Sequence, residues 1–185
     1  MAVDIIMVRP NLKNIPEYPL PEGYSMRLYQ PGDEQHWADL WVSVKDFDTL
    51  EPALKAHRDD FGGGPEQLPL RQMFLCNESG EVIGTISAWY GSSYEPSPYG
   101  LFHWVAIHPD YQAKRLGRPL MCEAMKLMSQ WHDKAYLCTH THRIRALRVY
   151  LDMGFVPFIR HDQDVESWKG VAKELNHPGL KPYTV

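Results

Sequence analysis

The chain is predicted to fold as one α/β domain of the α+β kind, a mixed and mostly antiparallel sheet with helices packed on it. Three observations predict this. Apolar residues recur with strand and helix periods in the order strand, helices, three strands, then helix, strand, helix, strand. The three consecutive strands are joined by turn-forming clusters and not by crossover helices, so they should pair antiparallel. The 185 residues, 44% hydrophobic and 23% charged, are ordinary for a single soluble core.

Taken in order, residues 10–23 carry Pro10, Pro16, Pro19 and Pro21, which block regular helix, so residues 1–23 are read as an extended arm laid over the domain. Tyr24 to Tyr29 alternates as a first strand, and Pro31-Gly32-Asp33 supplies a turn and helix cap. A helix follows to about Lys45, with Trp37, Leu40, Trp41 and Val44 at helical spacing as its core face. A second helix is expected over Glu51 to Asp60. The glycines of Phe61-Gly62-Gly63-Gly64-Pro65 lack a following Lys-Ser or Lys-Thr and read as a flexible connection, not a phosphate loop.

Strands over Arg71 to Cys76 and Val82 to Tyr90 flank the turn cluster Asn77-Glu78-Ser79-Gly80 as a β-hairpin, and a third runs from Tyr99 to Ile107 after the loop Ser93 to Pro98. From Leu116 a helix should bury Leu116, Leu120, Ala124, Leu127 and Trp131, with Pro119 tolerated in its first turn. Ala135 to Thr139 is a short strand, Ile144 to Met153 a helix, and Phe155 to Arg160 a strand. The domain proper is thus expected over residues 24–160, and residues 161–185 form a tail with a helix at Val165 to Leu175.

Composition narrows the function. A net charge of -4 and a pI near 6.1 argue against a nucleic-acid partner. No run approaches the ~20 apolar residues of a membrane span, and Met1 to Arg9 has neither a basic n-region nor an apolar h-region, so no membrane partner and no secretory signal are expected. Cys76, Cys122 and Cys138 are widely spaced, which suits a reducing cytoplasm and indicates neither a disulfide framework nor a zinc ribbon. Cys138, His140 and His142 would share one face of an extended segment, yet the strand should end near His140, so no metal site is assigned and these residues are given to the cleft lining. The oligomeric state is open, a homodimer included.

The most informative stretch is Val105-Ala106-Ile107-His108-Pro109-Asp110-Tyr111-Gln112-Ala113-Lys114-Arg115-Leu116-Gly117-Arg118, a strand, a loop and a helix start with basic residues at the turn. Helix N-termini present unpaired N–H groups and partial positive charge, so phosphates bind there readily. Gln112-Ala113-Lys114-Arg115-Leu116-Gly117 resembles the signature loop of the GCN5-related N-acetyltransferases (GNAT). About thirty residues on, Ala146 to Phe155 resembles the family's later motif, an amphipathic helix carrying a Tyr and closing on Gly-Phe. The resemblance covers Tyr24 to Arg160. Arg115 stands where the family has its first Gly, so this residue is expected to avoid positive φ, with its guanidinium either reaching a phosphate or solvated on the loop.

The resemblance implies a GNAT-like sheet whose central strands splay after Ile107, with the pantetheine arm of acetyl-CoA pairing with the backbone of Val105, Ala106 and Ile107. It also implies that Gln112, Ala113, Lys114, Arg115, Leu116, Gly117 and Arg118 hold the diphosphate. Arg143 occupies a position where the family often has Asn contacting the cosubstrate.

Acyl transfer to an amine needs a base, an oxyanion site and a group to meet the departing thiolate. His103 is the candidate base; its alternative is a histidine packed beside Trp104 and Phe102, and Tyr94 and Glu95 are weaker candidates. Tyr150 is the candidate acid, or else a packing residue. The oxyanion falls to a backbone N–H of Val105 to Ile107. Cys122 should lie opposite the buried stripe with no base nearby, so direct transfer in a ternary complex is preferred to an acetyl-cysteine.

Between Asp33 and Glu66 there are nine acidic residues (Asp33, Glu34, Asp39, Asp46, Asp48, Glu51, Asp59, Asp60, Glu66) against Lys45, Lys55 and Arg58. That field suits a small cationic amine as acceptor, or is simply a solvated face. Trp89, Tyr90, Tyr94 and Tyr99 either wall the acceptor cleft or fill the core. The expected function is an acetyl-CoA-dependent N-acetyltransferase; the alternative is a non-catalytic acyl-CoA-binding module or sensor.

Overall fold

A computed structural model describes residues 3–91 and 99–184. The elements are β1 (Asp4–Arg9), β2 (Ser25–Leu28), α1 (Asp33–Ser43), α2 (Leu50–Phe61), α3 (Leu68–Arg71), β3 (Gln72–Cys76), β4 (Val82–Tyr90), β5 (Gly100–Ile107), α4 (Gly117–Met128), β6 (Ala135–His140), α5 (Ile144–Asp152), β7 (Val156–Phe158) and α6 (Asp162–Glu174). They build one seven-stranded sheet in the order β2-β3-β4-β5-β6-β1-β7. All neighbouring strands are antiparallel except β5 and β6, which run parallel. The α+β reading therefore holds. Tyr94, Glu95 and the loop Ser93 to Pro98 lie within or bound the segment outside the described residues. No helix of the described residues is long and apolar enough to cross a membrane.

The flanking segments are not mere appendages. Residues 4–9 form β1, inserted between β6 and β7, and Ile5 and Met7 are buried in the main core. A strand covered on both faces shows a continuous apolar run instead of alternation, which is why Ile5-Ile6-Met7-Val8 carries no period-two signature. Beyond residue 160, Trp168, Val171, Leu175 and Leu180 likewise belong to that core.

Apolar burial divides into two clusters. One joins β1, α4, α5 and α6 to the sheet; the other holds α1 and α2 through Trp37, Leu40, Trp41, Ala53 and Phe61. On β3 the alternation is regular, with Met73 and Leu75 in the first cluster and Phe74 in the second. Helix α4 departs from a single stripe. Cys122, expected on its outer side, is 1% exposed because the Pro-rich arm crosses over it, and its Sγ lies 2.8 Å from the Pro16 carbonyl oxygen. Trp131, expected in the buried stripe, lies beyond the helix end, 39% exposed, with Arg71 stacked 4.1 Å from its ring centre. The Gly62–Gly64 connection runs directly into a helical turn at Pro65–Gln67 and then α3.

Candidate active site

Strand β5 is irregular where the chemistry is expected. Its register against β4 shifts between Thr85 and Ser87, and Trp104 inside it has φ 54°. One extra residue in a strand puts two consecutive side chains on one face. Phe102 accordingly packs in the first cluster, while His103 and Trp104 both turn toward α1 and α2. A bulky residue in the left-handed region is strained and must be held by its surroundings. Trp104 is held by an indole N–H donated to Asp60 Oδ2 at 2.6 Å and by rings of Trp41 and Trp37 at 4.7 and 5.0 Å.

After the bulge the sheet opens. Among the described residues, strands β5 and β6 pair only at Gly100 with Ala135 and Leu101 with Tyr136, so Val105, Ala106 and Ile107 keep β4 on one side and have no described strand on the other. The resulting cleft has a volume of about 830 Å³. Its walls come from Val105 to Ile107, the loop into α4, the first turns of α4 and α5, Trp41 of α1, Val44 and Asp46 just after α1, and Glu174 and Leu175 at the end of α6. The expected splay is present.

The loop itself is shaped for an anion. Ala113 and Arg115 have φ 62° and 63°, and Leu116 returns to the right-handed region. Alternating left- and right-handed residues turn successive N–H groups into one concavity. Among the described residues, the amides of Ala113, Lys114, Arg115, Leu116 and Gly117 donate to no acceptor. Gln112 fastens this loop to β5 by donating its side-chain amide to the Ile107 carbonyl at 3.0 Å.

Arg115 thus adopts the positive φ it was expected to avoid, because the curvature of the loop overrides the local preference. Arg115→Gly should relieve about 1–2 kcal/mol of left-handed strain, partly offset by the greater backbone freedom of Gly when unfolded. A small rise in Tm, read by calorimetry, is the expected result, together with weaker binding of polyphosphates through loss of the guanidinium.

The cations are distributed differently from expectation. Lys114 does not line the cleft; its ammonium lies 4.5 Å from the Tyr111 ring centre. Arg118 lines it, but its guanidinium is bound to Asp152, which also takes His177 Nε2 at 3.1 Å. Burial alone would raise the Asp152 carboxyl, yet the bonds from Arg118 and His177 hold it below the usual carboxylate range. Arg143 reaches across the cleft, its Nη2 donating to Asp46 Oδ1 and Oδ2 at 3.1 and 3.0 Å. Three further arginines, Arg115, Arg145 and Arg148, line the cleft without an ion pair among the described residues. Arg145 and Arg148 escaped sequence reasoning, although their spacing of three on α5 puts them on one face.

Of the candidate catalytic residues, Tyr150 lines the cleft and His103 does not. Tyr150 is 7% exposed. Burial pushes its phenol up to about 12, with Arg143 pulling the other way. His103 sits against Asp60, its Nε2 3.0 Å from Oδ2, with Phe61 and Trp104 as ring neighbours. Of the two neighbours expected if His103 only packs, Trp104 is there and Phe61 stands in the place of Phe102. Burial lowers the His103 pKa below the ordinary histidine value, and Asp60 opposes that shift. Of Cys138, His140 and His142, given to the cleft lining on sequence grounds, only His142 lines it; His140 pairs with Asp4 instead. Trp89 packs on Phe61, Tyr90 on Arg71 and Tyr99 on Tyr136.

Comparison with known proteins gives three kinds of match. The profile of the Acetyltransferase (GNAT) family matches residues 28–155. A mycothiol acetyltransferase of Thermobispora bispora is 26% identical over 162 residues, which are 80% of this chain and 52% of that protein. This chain therefore spans about half the length of the curated relatives it matches. Among solved structures, a GCN5-related N-acetyltransferase from Sphaerobacter thermophilus has the same fold, with a TM-score of 0.64 at 19% identity over 84% of this chain and 48% of that one. A tandem GNAT protein from the clavulanic acid biosynthesis pathway has a TM-score of 0.60 at 14% identity over 84% of this chain and 50% of its own.

Proposed function

This chain belongs to the acetyltransferase (GNAT) family, and from that premise we propose that it moves the acetyl group of acetyl-CoA onto a primary amine by direct transfer in a ternary complex. The family uses acetyl-CoA as cosubstrate. The observation that carries the reading is the row of unpaired amides from Ala113 to Gly117 beside the open edge of β5, with Tyr150 in the same cleft. Amides for a diphosphate, arginines 115, 145 and 148 for its charge, and an unpaired strand edge for an extended amide-bearing arm are the complements of such a thioester.

The amine attacks the acetyl carbonyl carbon, and the developing oxyanion meets a backbone N–H of Val105 to Ile107. His103 is the base. With Nε2–H donated to the Asp60 carboxylate, Nδ1 is left as the proton acceptor, and burial keeps the ring neutral at neutral pH. Neutral His103 is the active form, so kcat/KM should be flat near pH 7 and fall as pH drops through a value below the ordinary ~6.5 of histidine. The acceptor is a small cationic amine. The acidic excess over residues 33–66 supports that class, even with Asp33, Asp46, Asp59 and Asp60 paired with Arg27, Arg143, Lys55 and His103.

The test is a mixture of protein, acetyl-CoA and a panel of polyamines, amino-sugars and aminoglycosides, following release of free thiol. Release with a cationic amine is the expected result. Calorimetric binding of coenzyme A with no release from any amine would make the chain a coenzyme-binding module, and no heat at millimolar coenzyme would remove the reading altogether.

A further inference from the structure

Tyr150 alone is poorly matched to the leaving group. A thiol has a reference pKa of ~8.5, and a phenol buried to about 12 would transfer its proton to the thiolate with an equilibrium unfavourable by roughly three orders of magnitude. Its hydroxyl can donate a hydrogen bond to the sulfur. The sulfur's negative charge then needs another partner.

The geometry points to Arg143. It caps the N-terminus of α5 seven residues before Tyr150, about two turns away. Helical side chains lean toward the N-terminus, so Tyr150 leans toward Arg143, and both line the cleft. Arg143 does not hang free. Its guanidinium is drawn to Asp46, which follows Lys45; Lys45 has φ 64° and ends α1 with its amide and that of Asp46 bonded to Val42 and Trp41. The Asp46 carboxylate is thereby carried on a well-defined turn. An Asn, which the family resemblance leads one to expect here, could bond a cosubstrate but would bring no charge.

We propose that Arg143 is the cation that stabilises the departing coenzyme A thiolate beside Tyr150, and that Asp46 is the positioning residue that holds its guanidinium at the cleft wall. The inference rests on the acetyl-transfer reading above. When the tetrahedral intermediate collapses, the carbon–sulfur bond breaks and its electron pair stays on sulfur. The new carbon–nitrogen bond is retained, and the amine's proton goes to His103. The thiolate leaves as an anion opposed by Arg143 and hydrogen-bonded by Tyr150, and takes its proton later from water.

The test is a pH titration of bound coenzyme A, following thiolate absorbance, on the wild type, Arg143→Gln, Arg143→Lys and Asp46→Asn. The other charges facing the cleft, Arg115, Arg118, Arg145, Arg148, His142 and Glu174, are common to all four and cancel in the comparison. The bound thiol should titrate below free coenzyme A in the wild type. Arg143→Gln should raise it by about one unit, a tenfold loss of thiolate at a given pH, with a parallel fall in kcat. Arg143→Lys should restore most of the shift, and Asp46→Asn, which releases the guanidinium from the cleft wall, should raise the thiol part of the way toward Arg143→Gln. Equal thiol titration in wild type and Arg143→Gln overturns the proposal even if the dissociation constant differs, since Arg143 would then only help hold the coenzyme. Failure of the wild type to bind coenzyme A sinks the acetyl-transfer reading and this proposal with it.

Discussion

Tyr150→Phe is expected to lower kcat by about 10²–10³-fold, the range for deleting one donor to a developing negative charge, while coenzyme A binds with nearly unchanged affinity. The asymmetry follows from what the hydroxyl touches. Among the described residues it has no hydrogen-bond partner, so its removal strands no internal acceptor. The ring keeps its contact with Phe155, 6.3 Å between centres, and its burial in the main core. On the proposed reading, binding depends instead on amides and arginines elsewhere in the cleft. Steady-state kinetics with calorimetry separate the two, and a thermal melt checks that the fold is intact. An unchanged kcat would leave Tyr150 as a packing residue.

Gly154→Ala should be among the most destabilising single-methyl additions in the chain, at about 3–5 kcal/mol. Gly154 has φ 79°, and a Cβ there would overlap Nη1 of Arg9. The left-handed backbone alone costs about 1–2 kcal/mol for a residue with a Cβ. The larger part comes from Arg9, 7% exposed, whose guanidinium donates to the carbonyls of Met153, Lys13 at 3.1 Å and Asn14 at 3.4 Å. Hydrogen bonds to charged groups contribute about 1.5–3 kcal/mol each, and displacing this side chain disturbs several at once. At about 2–4 °C per kcal/mol for a chain of this size, Tm should fall by roughly 10 °C. Gly170→Ala is the control: it lies within α6 with nothing within 4 Å of the added methyl, so it should gain up to ~1 kcal/mol of helix propensity. An unshifted Tm for Gly154→Ala would mean that Arg9 is not held as argued.

Gly154 also illustrates how far sequence carries. Its place after an amphipathic helix marks a helix end, and α5 does close there. That its second neighbour is an arginine from near the chain's start is invisible locally, as is β1 itself, whose register partners on β6 lie about 130 residues away. Likewise the helical spacing of α4 identifies one buried face correctly, but Cys122 is buried by an arm that periodicity cannot dock.

The amino-acid order alone determined most of the elements and the turn between β5 and α4, because strand period, turn chemistry and helix starts are local properties of consecutive residues. Which arginines remain available, and which way His103 faces, only the tertiary structure decided. Arg118 and Arg143 are claimed by Asp152 and Asp46, distant partners that meet only in the folded chain. His103 and Trp104 share a face because a single extra residue in β5 shifts the side-chain alternation, and that bulge is set against β4 and clamped by Asp60 from α2.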